Sequence, residues 1–477
     1  MGNNSKALTD LPAMKKHTLP PNLLVFAVIF FSVHILSSCR DVSKIELIED
    51  IDAYVYYIEH VHADPYRLIT RENFVGKAQE QKQKIRVLEN TNISILECAI
   101  YLQELSALIQ DGHTRINFPF DQLSGEEPVF PLKVKIVDGN VYVLDNLGYE
   151  SVPNFCSILE INGVPAITLF EKSCKLYNSS LEHAKYLMFE DSFHLLLANY
   201  LGIHPPWTVK YKMKSKIQIV KLKEMTSKAY CKQKKPHSNR YRSYSISIND
   251  VKIPVLDLPG FSYGKAKDWE SFIDTFFLMH KRSRYLVIDL RQNHGGSGYW
   301  GFYLLDYLTD SPYRIANKFE FKVSEMIRES IYASKAGNQL NQVKNGEYLD
   351  AVNHKMRSPH TTLNKFKGKT FLLISENTFS AGVVFAAVFK ANKMGVVIGL
   401  ETSGRVCFGS DPVMITLRNT KLTGSIPLAI YTLPGENSDR GVIPDIKVTR
   451  SIDDYQLGHD IELEKVKELI KEDLNRS

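Results

Sequence analysis

The sequence predicts an α/β protein, and three observations carry that expectation. Between about 250 and 450, short apolar runs alternate with stretches long enough for helices, the pattern of strands joined by crossover helices. One run, Tyr285-Leu-Val-Ile-Asp-Leu290, is apolar almost without a break, as a strand buried on both faces of a sheet must be. Ahead of this region the periodicity changes, from helical spacing over 45–109 to alternation from about 126.

Taken in order, Leu47, Ile48, Ile51, Val55, Ile58 and His62 fall on one helical face, and Asp64-Pro65 ends that helix. Arg71–Leu88 and Ile93–Ile109 read as two more helices, so that 39–125 forms an N-terminal helical domain. Its last helix runs into Asp111-Gly-His-Thr114. From 126 to 225 the chain reads as β-rich: Phe130–Val137 alternates, Asp138-Gly139-Asn140 is a hairpin turn, and Val141–Leu144 returns. Ile158-Leu-Glu-Ile-Asn-Gly-Val-Pro165 is similar to the strand-turn of PDZ-like domains, which bind extended peptide along a sheet edge. The basic stretch Lys228–Arg242 is expected as a solvated linker. The core, within 226–477, then opens with strand Ile253–Leu258, helix Trp269–Met279 and strand Tyr285–Leu290. That strand empties into Arg291-Gln-Asn-His-Gly-Gly296 and a helix over Tyr299–Leu308. Residues 315–367 read as an irregular polar loop with short helices. Strands at 370–374 and Gly395–Leu400 follow, and Ile461–Leu474 is a closing amphipathic helix.

The chain has 477 residues, 44% hydrophobic and 23% charged, ordinary values for a globular protein. A net charge of +6, spread along the chain, is not the concentrated footprint of a nucleic-acid binder, and no nucleic-acid partner is expected. Lys15, Lys16 and His17 precede an apolar stretch, Leu23–Leu36, of signal-peptide length. It closes with Leu36-Ser-Ser-Cys39, which resembles a bacterial lipobox. Residues 1–38 are therefore expected to be a lipoprotein signal peptide and Cys39 the lipidated first residue, the other reading being an uncleaved signal anchor. Either places the body in the cell envelope, tethered to a membrane and facing the periplasm or exterior. Cys98, Cys156, Cys174, Cys231 and Cys407 show no metal-binding spacing, and each is expected as a buried thiol. A Cys156–Cys174 disulfide is open to the chain but not indicated.

The chemistry concentrates on Phe371-Leu-Leu-Ile-Ser-Glu-Asn-Thr-Phe-Ser-Ala-Gly382. A buried strand runs through a polar turn to Ser380, and small and apolar residues then continue as a helix. At a helix N-terminus Ser380 meets free N–H groups and the positive end of the helix dipole, which favour developing negative charge. A Ser in that place can equally be a helix cap. Three other stretches bear on the choice: Leu108-Ile-Gln-Asp-Gly-His-Thr114, Leu286-Val-Ile-Asp-Leu-Arg-Gln-Asn-His-Gly-Gly296 and Gly441-Val-Ile-Pro-Asp-Ile446. With Phe379-Ser-Ala-Gly382 they resemble the serine peptidase superfamily of tricorn protease, the C-terminal processing peptidases and the interphotoreceptor retinoid-binding protein repeats. The resemblance implies a ClpP/crotonase-like core, Ser380 as nucleophile, His113 as general base, and the N–H groups of Gly295 and Ala381 as an oxyanion hole. It implies no metal and no cofactor, and a polypeptide substrate.

The superfamily divides by its base. Ser/Lys members place a lysine beyond the serine in a T-x-G-K pattern, and the matching stretch here is Thr402-Ser-Gly-Arg405. An arginine stays charged and cannot serve as base, so the retained His113 points to the Ser/His branch. That branch often has Ser where this chain has Gly112. It also places a glutamate shortly before the G-V-x-P-D motif to orient the imidazole, and here Glu436 and Asp439 bracket that place. The expected activity is a serine endopeptidase of the cell envelope with a Ser/His/acid mechanism. The alternative is an inactive peptide- or apolar-ligand-binding protein on the same fold.

Overall fold

The computed structural model describes residues 41–119, 125–233, 240–261, 264–330, 337–350, 356–360, 364–435 and 439–476. The expected signal peptide, the lipidated Cys39 and the candidate acid Glu436 lie outside them. Among the described residues no helix is long and apolar enough to cross a membrane.

Three helices open the fold, Lys44–His60, Arg71–Arg86 and Ile95–Leu108. The first and third start with capping boxes, Ser43 with Glu46 and Ser94 with Glu97, which satisfy otherwise orphaned backbone donors. Their apolar faces do not close on themselves. Leu47, Ile51 and Leu102 share one core with Phe321, Ile426 and Leu428, which lie hundreds of residues away in sequence. Those partners belong to an antiparallel sheet ordered Tyr348–Asp350, Lys318–Lys322, Thr423–Thr432, Cys407–Thr416. Residues 315–367, read above as an irregular loop, therefore contribute two of its strands. The edge strand Tyr348–Asp350 is only three residues long, and Lys322 of its neighbour turns inward to donate to Glu59 O and His62 O.

Residues 133–222 form a second antiparallel sheet, ordered Lys216–Leu222, Trp207–Met213, Ser157–Ile161, Asn140–Asp145, Lys133–Val137. The two sharp hairpins fall where the sequence puts them, with Asp138, Gly139, Asn162 and Gly163 all at positive φ. The 18-residue helix Glu182–Asn199, absent from the strand pattern, lies beside the edge strand Lys133–Val137. Its Glu190 carboxylate accepts the Ile136 N–H at 2.8 Å, so part of that strand edge is already bonded.

The central sheet runs Arg242–Ile248, Val251–Asp257, Tyr285–Asp289, Lys369–Ile374, Val396–Gly399, Ile446–Lys447, parallel after its first pair. Every residue of Tyr285–Asp289 is buried. Leu286 and Ile288 face a core that includes helix Ala381–Ala391, while Tyr285 and Val287 face the C-terminal helix Ile461–Arg476. Both faces are covered, which is why the sequence of this strand shows no alternation.

Two sequence expectations need correction. The basic stretch is not simply a linker: Ser227–Gln233 is helical, and its buried Tyr230 stacks on His194 with ring centroids 3.9 Å apart. The five described cysteines are free thiols, but only Cys98, Cys156 and Cys407 are buried, while Cys174 is half-buried and Cys231 exposed. Cys231 lies on the outward side of that short helix, whose inward side is taken by Tyr230.

Candidate active site

Strand Lys369–Ile374 ends in a turn that side chains hold shut. The Thr378 hydroxyl donates to Leu290 O at 2.8 Å and accepts the Ser375 N–H at 3.0 Å, while the Ser375 hydroxyl donates to Arg291 O at 2.6 Å. Ser380 follows with φ 50° and ψ −119°, and helix Ala381–Ala391 begins at once. A non-glycine residue in that region costs ~1–3 kcal/mol and persists only where its surroundings impose it. The Ser380 side chain makes no capping hydrogen bond, so the helix-cap explanation does not account for the residue. A strained strand-to-helix turn is the geometry that exposes a serine oxygen as a nucleophile.

Glycines let the neighbouring loop close on this turn. A Cβ on Gly295 would stand 2.6 Å from the Ser380 Cβ, and one on Gly382 would stand 2.9 Å from Asn293 Oδ1. Asn293, fully buried, ties the loops together. Its Nδ2 donates to Leu258 O at 2.8 Å, its Oδ1 accepts the Gly295 N–H at 2.9 Å, and its carbonyl accepts the Phe379 N–H at 2.9 Å.

His113 reaches this place from 267 residues earlier in the chain. Helix Ile95–Leu108 stops, Gln110 turns at φ 55°, and residues 111–114 form a tight turn. The Asp111 Oδ1 accepts the His113 N–H at 2.9 Å, and the Ser425 hydroxyl donates to His113 O at 2.6 Å. Arg115 and Ile116 then pair with Ser425 and Gly424 on the long hairpin. The result sets His113 Nε2 3.1 Å from Ser380 Oγ. Phe379 and Phe408 both stack on the imidazole, with centroids 4.8 and 5.6 Å away. Burial holds the His113 pKa below the usual histidine value, with the Asp111 carboxylate pulling the other way. A side chain at Gly112 would have no room, since a Cβ there lies 2.8 Å from the Phe379 ring.

The two N–H groups expected as an oxyanion hole differ in their hydrogen bonding. The Ala381 N–H, at the start of the helix, carries no hydrogen bond among the described residues. The Gly295 N–H does carry one, to Asn293 Oδ1. Among the described residues the N–H of its exposed neighbour Gly296 carries no hydrogen bond.

Of the two acid candidates, only Asp439 lies among the described residues, and it is not brought to the imidazole. Glu436 lies outside the described residues. Asp439 is 63% exposed and pairs with Arg67 at 3.1 Å, and Arg67 also donates to Cys407 Sγ at 2.7 Å. Among the described residues the buried His113 Nδ1 has no hydrogen-bond partner. Arg405 is buried and donates to Gln110 O at 2.9 Å, bracing the turn that carries His113. His294 is exposed on the wall of the cleft. Motif reading passed over Asn293, Phe379, Phe408 and Asp111, whose signal lies only in their adjacency to Gly295, Ser380, the long hairpin and His113.

A cleft of about 390 Å³ opens beside His113 and Phe379. Ile116, Phe118, Leu176, Leu187, Met188 and Leu196 give it apolar walls. Among the described residues no cluster of three His, Cys, Asp or Glu side chains is arranged to hold a metal.

Residues 252–448 match the family model described as Peptidase family S41. The fold is similar to that of mature CPAF, with a TM-score of 0.70 at 18% identity over 91% of this chain and 98% of that one. Mature CPAF complexed with lactacystin gives 0.67 at 18% identity, covering 91% and 99%. A Chlamydia trachomatis serovar D protein is 22% identical over 292 residues, 49% of this chain and 48% of that protein. A Chlamydia muridarum protein is 24% identical over 281 residues, 47% and 45%. The chain thus spans about half the length of the curated relatives it matches.

Proposed function

We propose, from the premise that residues 252–448 form a domain of peptidase family S41, that this chain is a serine endopeptidase whose nucleophile is Ser380 and whose base is His113. The family match and the peptidase fold support a serine peptidase. The observation that carries the finer reading is the 3.1 Å approach of His113 Nε2 to the oxygen of a strained serine.

Ser380 Oγ attacks the peptide carbonyl carbon while its proton passes to His113 Nε2. The carbonyl oxygen becomes an oxyanion, received by the Ala381 N–H and by the N–H of Gly296 or, after release from Asn293, of Gly295. Each such donor is worth about a hundredfold or more in rate. The imidazolium then protonates the leaving amine, and an acyl-Ser380 remains. His113 next takes a proton from water as the hydroxide attacks the ester carbonyl; the acyl C–Oγ bond then breaks, the imidazolium returns its proton to Ser380 Oγ, and the carboxylic acid product leaves. The apolar cleft beside the imidazole is suited to an apolar substrate side chain.

We place the substrate in the cell envelope, with the body tethered through a lipid on Cys39. Radiolabelled palmitate incorporated by the wild type and lost in Cys39→Ala tests that part. The apolar cleft also supports a second reading, a binding protein that does not hydrolyse. A fluorophosphonate probe separates the two. Labelling of the wild type that disappears in Ser380→Ala and His113→Ala is expected; a folded wild type that never labels favours binding.

A further inference from the structure

We propose that the hairpin formed by Trp207–Met213 and Lys216–Leu222 is a contact face for an anionic phospholipid surface. The inference is independent of the Ser380–His113 reading and of the Cys39 tether. Between Trp207 and Lys223 the chain carries Lys210, Lys212, Lys214, Lys216, Lys221 and Lys223, and no aspartate or glutamate. The pairing of the two strands sorts these residues by side. Trp207, Val209 and Tyr211 are buried in the core of the β-rich region, and Gln218 shares their side, accepting the Tyr211 hydroxyl at 2.6 Å. The opposite side therefore carries Thr208, Lys210 and Lys212 beside their register partners Lys221, Ile219 and Ile217. Lys214, at φ 54°, and Ser215 close the hairpin.

Ile217 and Ile219 are 57% and 67% exposed, on a strand that ends its sheet. Lysines alone would be an ordinary guard on such an edge, keeping other strands from pairing with it. Two isoleucines standing out between them work against that guard, and they suit a partner that accepts apolar tips within a positive rim. The interface of an anionic bilayer is such a partner. Apolar side chains enter the boundary of the acyl chains while ammonium groups stay among the phosphates. Lys210 is paired with Glu160 at 2.7 Å, and among the described residues the other five lysines are in no ion pair. Glu224, the next acid in sequence, follows the hairpin. Trp207 and Tyr211 point inward, so the face has no aromatic ring to stack on a nucleic-acid base. An acidic polypeptide would answer the lysines but not the isoleucines.

The test is co-sedimentation with lipid vesicles. Among the described residues the hydrophobic cores draw only on residues 42–474, so the chain from residue 39 onward, with Cys39→Ala and no lipid attached, is the protein to use. It should bind vesicles of phosphatidylcholine and phosphatidylglycerol mixed two to one, ignore phosphatidylcholine alone, and dissociate as salt is raised. A lysine near an anionic surface is worth about fivefold in binding, so the triple variant Lys212→Gln, Lys214→Gln, Lys221→Gln should bind about a hundredfold more weakly. The double variant Ile217→Ser, Ile219→Ser should lose about tenfold or more. Urea midpoints equal to that of the parent chain check that both variants fold. Equal binding to the two kinds of vesicle, or undiminished binding in either folded variant, overturns the proposal. Hydrogen exchange keeps it testable if a variant does not fold: vesicles should slow exchange across 212–221 in the parent chain, and slowing only elsewhere overturns it. A parent chain that stays in the supernatant overturns it too, and its capture by polyglutamate would assign the face to an acidic polypeptide instead.

Discussion

Gly295 and Ser380 are packed so closely that a Cβ on Gly295 would stand 2.6 Å from the Ser380 Cβ, 3.0 Å from Phe379 O and 3.1 Å from the Ala381 N. All three neighbours belong to the turn that presents the nucleophile. Gly295 also sits at φ 97°, which side chains rarely adopt. Gly295→Ala should therefore lower the labelling rate of Ser380 at least a hundredfold, while costing only ~1–3 kcal/mol of stability. Urea melts beside labelling rates would check this; a variant that labels normally would contradict the packing argument.

The acid limb of activity should lie below the ordinary histidine value. Burial holds the His113 pKa under 6.5, so the imidazole remains neutral, and able to accept a proton, as the pH falls past that point. The half-maximal labelling rate should therefore fall at a pH below 6.5. A half-maximal rate above pH 6.5 would show an imidazole less buried than the Phe379 and Phe408 contacts require.

His62 should make the fold acid-sensitive. Its Nδ1 accepts the Asp64 N–H at 3.0 Å, and its Nε2 lies 2.8 Å from the Thr114 hydroxyl, so both nitrogens are satisfied in the neutral ring. Burial pushes its pKa down to about 4 from the usual 6.5. On acidification the unfolded chain takes up the proton first, so stability is lost as the pH falls from 6.5 towards 4. The loss amounts to ~3 kcal/mol. Urea midpoints measured at pH 7 and pH 4.5 should converge in His62→Asn more than in the wild type, and parallel losses would count against the assignment.

Lys135 joins the β-rich region to the turn before the nucleophile. Its ammonium lies 2.9 Å from Glu190 and 3.1 Å from Glu376, all three side chains largely buried. Lys135→Met would leave two buried carboxylates without their cation, at a cost of ~3–5 kcal/mol. Because Glu376 lies four residues before Ser380, labelling should slow as well. A change under about 1 kcal/mol in the urea midpoint analysis would mean that water replaces the cation.

How far these features could be read from sequence depended on whether local pattern or distant packing decides them. Tyr285–Asp289 announced itself because burial on both faces demands an unbroken apolar run. The turn at Ser380 was legible because a strand, a polar turn and a small-residue helix follow one another directly. The hairpin Cys407–Thr416 with Thr423–Thr432 was not, since Pro412 and Pro427 sit opposite each other and Asp411 turns at φ 49°, choices that argue against interior strands. Helix Glu182–Asn199 escaped because apolar residues are spread around it. The partner of the imidazole was sought by spacing near Gly441, where Asp439 in fact meets Arg67. The other acid that spacing suggested, Glu436, lies outside the described residues.

The pairing of Arg115 and Ile116 with Ser425 and Gly424 sets a timetable for the ribosome. His113 is synthesised 267 residues before Ser380, an interval of roughly 15–50 s at ordinary elongation rates. The strand that seats His113 emerges later than either. During translation the growing chain therefore carries an imidazole without a serine, then both without the clasp that aligns them. The 3.1 Å approach of His113 to Ser380 can therefore be seated only after residue 425 has left the exit tunnel and folded back.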